Sequence, residues 1–89
     1  MKIEGRIFKG KKLLNHAIIE SKIDSNSFSK MLEDCLLQYC KMLDVSPPLW
    51  LEGNTHDFAR FHCTIFFEDQ FLEETSFDRM QINYIQDEE

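Results

Sequence analysis

The 89-residue chain predicts an α+β fold, a small antiparallel sheet packed against two or three helices, and three patterns carry that expectation. Ile3, Gly5 and Ile7 alternate with Lys2, Glu4 and Arg6 near the start, and Met80, Ile82 and Tyr84 alternate with Gln81, Asn83 and Ile85 near the end. A period of two is that of a half-buried strand. Between them, Phe28, Met31, Leu32, Cys35, Leu36, Tyr39, Met42 and Leu43 recur with the 3.6 period of an amphipathic helix. The expected order is β-β-α-α-(α)-β, in one domain over residues 1–89.

The first strand runs from Lys2 to Phe8 and meets a turn at Lys9-Gly10-Lys11-Lys12, so the chain should return as a hairpin. The returning segment, Leu13 to Ser21, also fits a helical face, but Ile18-Ile19 is β-branched and the turn before it is short, which favours a strand. The main helix is expected over 27–44, with Ser27 as N-cap and Pro47-Pro48 preventing continuation. A second helix is expected to start at Asn54 or Thr55 and to present Phe58, Phe61 and Ile65 on its apolar face. Helix, or helix-turn-helix, is then expected as far as Glu73, and the C-terminal strand should lie beside the N-terminal hairpin, because a lone hairpin is only marginally stable.

Composition narrows the class. Eleven aromatics (eight Phe, two Tyr and one Trp) supply a large area for burial without metal or disulfide staples. No apolar run reaches the length of about 18 residues a membrane span needs, and MKIEGRIFKGKK has no apolar signal-peptide core. A cytoplasmic location with no membrane partner is therefore expected. Cys35 and Cys40 lie five residues apart in the main helix, a rise of about 7.5 Å, too far for a disulfide. All three cysteines are expected to be reduced. The net charge of −6 is lopsided: residues 1 to 22 carry six basic groups against Glu4 and Glu20, while the remainder is strongly acidic. That asymmetry fits an anionic partner, head-to-tail self-association, or simply a solvated surface.

Four groups of residues invite a chemical reading. In a continuous helix, His56, Arg60 and Cys63 would share one face, where two cationic neighbours could activate the thiol as a nucleophile in a small hydrolase or nuclease. Lys9, Lys11 and Lys12 could meet phosphates without reading sequence, which would make the hairpin a weak nucleic-acid contact. Leu37 stands alone on the polar side of the main helix and, with Trp50, would mark a partner-binding patch. Glu68-Asp69 and Glu73-Glu74 read as a solvated acidic face. No zinc-type ligand pair or phosphate loop is present, so no metal and no cofactor is expected; Cys35 reads as a small buried side chain and His62 as a hydrogen-bonded histidine at the core edge.

Pro48-Leu49-Trp50-Leu51, Asn54-Thr55, Phe58-Ala59-Arg60-Phe61, Asp69-Gln70-Phe71 and Phe77-Asp78-Arg79 make the C-terminal half similar to a group of small uncharacterised bacterial proteins. The resemblance implies a stand-alone bacterial protein and no particular activity. The leading expectation is a non-enzymatic interaction or accessory protein, with a protein partner or a second copy (a homodimer) bound at the sheet edge or around Leu37 and Trp50. Nucleic acid at the lysine turn and catalysis at His56, Arg60 and Cys63 are the alternatives.

Overall fold

The computed structural model describes residues 1–21 and 27–86. Lys22 of the basic segment and the Asp87-Glu88-Glu89 tail lie outside the described residues. The elements are β1 (Lys2–Lys9), β2 (Lys12–Glu20), α1 (Phe28–Met42), α2 (Glu52–Phe61), β3 (Cys63–Phe67), a 3-10 turn over Glu68–Gln70, and β4 (Arg79–Ile85). The fold is α+β, with an antiparallel sheet of four strands in the order β2-β1-β4-β3.

The N-terminal hairpin forms as the alternation predicts. Gly10 takes a positive φ of 59° at its tip, a conformation open to glycine without a side-chain clash. The 13–21 segment is a strand, paired so that Ile3 faces Ile19 and Gly5 faces Ala17. A register shift between Ile7 and Phe8 leaves Leu14 without a partner, which marks a β-bulge. β4 pairs with β1 over its whole length, Lys2 opposite Ile85 and Phe8 opposite Arg79.

The helix α1 begins at its expected cap: the Ser27 hydroxyl accepts from the Lys30 amide at 3.4 Å. It ends in a Schellman arrangement, Val45 N–H donating to the Cys40 carbonyl at 3.0 Å and Asp44 N–H to Lys41 at 3.2 Å. Asp44 carries the left-handed backbone this motif requires, at φ 57°. The chain therefore leaves the helix before the prolines reach it.

Two expectations about the second half are corrected. α2 starts at Glu52, not at Asn54 or Thr55, because Asn54 is the third helical residue and reaches back to accept the Leu51 amide at 2.9 Å. The helix then stops at Phe61, and residues 63–67 form β3 where helix was expected. His62 takes a left-handed φ of 58°, and its carbonyl accepts the Tyr84 amide at 2.7 Å, so the stop hands the chain directly to the β4 ladder. Cys63-Thr64-Ile65-Phe66-Phe67 has the β-branched and aromatic content that suits this pairing.

Helices cover one face of the sheet. Ile3, Ile7, Ile19, Phe66, Met80 and Ile82 from the strands are buried against Leu32, Cys35, Leu36, Tyr39 and Phe58 from the helices. Phe71 and Phe77, on the segment joining β3 to β4, meet edge to face at 5.3 Å and close the same core. The opposite face carries a polar row. Glu4 accepts from Arg6 at 2.9 Å, pairs with His16 at 2.6 Å, and receives the Asn83 amide at 3.3 Å. Burial pushes the Glu4 carboxyl up, but the hydrogen bonds and charges of His16 and Arg6 outweigh that and hold it below its ordinary value.

Candidate functional site

A groove of about 650 Å³ lies between α1 and α2. Phe28, Leu32, Leu36 and Leu37 line it from α1, Phe58 and Ala59 from α2, and Pro47, Pro48 and Trp50 from the segment between the helices. Tyr84 completes it from β4, and Ser29, Glu33, Thr55 and His62 supply its few polar groups. A volume of this size with mostly apolar walls and sparse polar groups has the character of a binding site.

The groove stays open because its aromatic frame is held from behind. Trp50 donates its indole N–H to Thr55 Oγ1 at 2.7 Å, and its ring lies 5.5 Å from Phe66 and 6.4 Å from Phe58. Phe28 lies 5.9 Å from Phe58 and 5.4 Å from Tyr84. These tilted contacts fix the rings while leaving Phe28, Leu37 and Trp50 38 to 44% exposed.

A buried amide network positions the α2 side. Asn54 donates to Thr64 Oγ1 at 2.8 Å and to the Ile65 carbonyl at 3.2 Å. Gln70 donates to Asn54 Oδ1 at 3.0 Å and to the Leu49 carbonyl at 3.1 Å, and its own Oε1 accepts the Phe67 amide at 3.0 Å. Leu49 N–H closes the loop by donating to the Gln70 carbonyl at 2.8 Å. With their side-chain polar atoms paired, Asn54 and Gln70 can sit in the interior at little penalty. They tie the approach to α2, including the stretch before Trp50, to the β3 edge.

The residues singled out by sequence have distinct fates. Leu37 and Trp50 both line the groove, although one comes from α1 and the other from the segment before α2. His56, Arg60 and Cys63 do not line it, and the helical face meant to unite them ends at Phe61, placing Cys63 on β3. His56 is exposed, 3.8 Å from Glu52 one turn earlier, and the Arg60 guanidinium lies 5.2 Å from the centre of the Phe61 ring. Lys9, Lys11 and Lys12 are exposed around a turn whose backbone is held by an acid and a base: Gly10 N–H donates to Asp78 Oδ2 at 2.6 Å and Arg79 donates to the Gly10 carbonyl at 2.8 Å. Glu68, Asp69, Glu73 and Glu74 are exposed.

Cys35 and Cys40 are buried free thiols, and Cys63 is a half-buried one. Burial, reinforced by the Asp34 charge, pushes the Cys35 thiol up to about 11, and burial alone pushes Cys40 to about 11. These two are packing groups, since a nucleophile needs the thiolate. His62, expected to be hydrogen-bonded at the core edge, is exposed and places its ring 6.0 Å from Tyr84, because the left-handed turn throws it clear of the sheet. Among the described residues no three His, Cys, Asp or Glu side chains gather as a metal site, and no helix is long and apolar enough to cross a membrane.

Phe28, Pro48, Phe58 and Tyr84 belong to the groove without having been marked for it. Phe28, Phe58 and Tyr84 carry the same apolar periodicity that marks core residues, which does not say whether a face is filled by the chain itself, and Pro48 stands out in the sequence only as a stop after the main helix. No protein-family model matches the chain, and neither does any curated protein or solved structure.

Proposed function

We propose that the chain is a non-enzymatic interaction domain whose α1–α2 groove receives the apolar face of an amphipathic helix from a partner protein. The observation that carries this reading is the convergence of Leu37 and Trp50 on one open apolar groove. Two helices flanking a hydrophobic cleft suit a helix laid between them, anchored by side chains spaced three and four residues apart. Exposed aromatic and leucine side chains on a firm backing are the usual anchors of such contacts.

Charge supports a basic partner. Residues 27–86 hold ten acidic side chains against four basic ones, and Glu33 lines the groove itself. Lysines flanking the apolar face of the incoming helix would be steered to this surface. A cytoplasmic setting suits the reading, since it keeps three unpaired thiols reduced.

Trp50 is the only tryptophan, so its fluorescence reports on the groove directly. A synthetic amphipathic helix of leucine and lysine should change its emission saturably. Leu37→Glu should abolish that change, while Leu72→Glu, at an exposed residue outside the groove, should preserve it. Equal binding by the Leu37→Glu variant would overturn the reading. So would equal binding of a leucine and glutamate helix, or of an uncharged alkyl ligand in its place.

A further inference from the structure

The two edges of the sheet are finished differently, and the difference follows from hydrogen-bond accounting. In an antiparallel ladder, residues alternate between bonding one neighbour and facing the other way. At the β3 edge, Tyr84 N–H donates to the His62 carbonyl and Glu68 N–H to Asp78, which sets the alternation so that Ile65 and Phe67 turn their backbone groups away from β4. There the amide network takes over: Asn54 donates to the Ile65 carbonyl and Gln70 accepts the Phe67 amide. The Ile65 carbonyl and the Phe67 amide on that edge are thus held by side chains built into the core.

The β2 edge has no such closure over its middle. Ser21 N–H donates to the Met1 carbonyl at 2.9 Å, so Ile19, Ala17 and Asn15 bond β1, and Glu20, Ile18 and His16 face outward. Gln38 donates to the Glu20 carbonyl at 3.0 Å and caps that end. Among the described residues, nothing pairs with the outward amides and carbonyls of His16 and Ile18. The segment from Asn15 to Glu20 contains neither lysine nor proline, the residues that commonly block edge pairing, and Ile18 is 53% exposed.

We propose that β2 pairs antiparallel with β2 of a second copy, joining two sheets into one across a two-fold axis at Ala17. In that register His16 of each copy exchanges backbone hydrogen bonds with Ile18 of the other. It uses the groups left free in the single chain, and alanine, the smallest side chain in the segment, sits on the axis. An axis at His16 would instead set the bulged Leu14 against Ile18, and an axis at Ile18 would require the Glu20 carbonyl that Gln38 already holds. An edge of this kind presents the same surface from both copies, as a closed two-fold dimer demands. The contact is separate from the helix groove, so either can stand without the other.

Light scattering across a concentration series tests the pairing. The full chain should approach twice its 10.6 kDa mass at high concentration. Ile18→Lys places a charge on the edge, and Ile18→Pro removes an outward amide where an edge strand tolerates proline; both should shift the protein to monomer with an unchanged far-ultraviolet circular dichroism spectrum, while Leu37→Glu should leave the dimer intact. In a Cys63→Ser background, Ala17→Cys should cross-link to itself on mild oxidation, because directly opposed residues across a non-bonded pair lie about 4.5 Å apart at Cα. A chain that stays monomeric at every concentration overturns the proposal, as does a dimer that survives Ile18→Lys or dissolves with Leu37→Glu. Failure of Ala17→Cys to cross-link within a persisting dimer overturns the register.

Discussion

The ring of Tyr39 occupies the space that a side chain at Gly5 would need: a β-carbon added there would overlap its Cε2, Cδ2 and Cζ atoms. Tyr39 is fully buried and its hydroxyl donates to Asn15 Oδ1 at 3.0 Å, so the ring is held from both ends of its side chain. The glycine in β1 is thus the seat on which α1 rests. Gly5→Ala should destabilise the fold by about 1 to 3 kcal/mol through overpacking. Urea denaturation measures this, and the loss should shrink in a Tyr39→Leu background, where the ring is gone. An equal loss in both backgrounds would place the effect in the strand alone.

Alkaline solution should weaken the fold through the same cluster. Burial pushes Tyr39 up to about 12, with Cys40 adding to the rise, and Cys35 and Cys40 to about 11. Each group must ionise to lose its proton, and the unfolded chain loses it first, at its ordinary value. The stability contributed is complete below about pH 9 and falls as pH rises from about 9 towards 12. Urea midpoints should be level from pH 7 to 8.5 and drop by pH 11. Tyr39→Phe should flatten the part of the fall that lies above pH 10.

Asn54 and Gln70 should behave as one unit. Removing either amide by alanine substitution strands the partner and a backbone group in the interior, a loss of about 1 to 3 kcal/mol. Because each substitution already breaks the shared bond, the double variant should lose less than the two single losses combined, with a coupling of about 0.5 to 3 kcal/mol. A double-mutant cycle by chemical denaturation reads this directly, and strict additivity would show that the network is not shared.

Asp44 should be improved upon by glycine. It holds a left-handed backbone at φ 57° in an exposed position after α1, where an L side chain is strained. Asp44→Gly should stabilise by about 0.5 to 1 kcal/mol, raising the thermal midpoint. A lowered midpoint would mean that the aspartate side chain contributes more than the backbone strain takes away.

Much of this architecture is legible in the residues. The hairpin, α1 with its Ser27 cap, and the C-terminal strand each follow a local period or a local stop signal. The 63–67 strand is not, because five apolar and β-branched residues after a helical pattern satisfy either period, and the decision comes from pairing with β4 after the left-handed turn at His62. Asn54 shows the same limit. Its type announces a helix start, but its place as the third helical residue, bonded to Thr64, Ile65 and Gln70, depends on β3 lying beside it.

The candidate surfaces divide in the same way. Leu37 is conspicuous in sequence because it breaks a polar face, and Trp50 because it follows two prolines, yet only packing brings them to one groove. His56, Arg60 and Cys63 share an azimuth only on a helix that continues, and the chain turns before it can. By itself the sequence determined the class of fold, the strands at its two ends, the span of α1 and the pair of residues that mark an apolar patch, since these rest on periodicity and on caps a few residues away. Tertiary structure alone decided the fourth strand, the shape of the groove and which sheet edge is left open, because these depend on contacts between segments far apart in the chain, where local preference is silent.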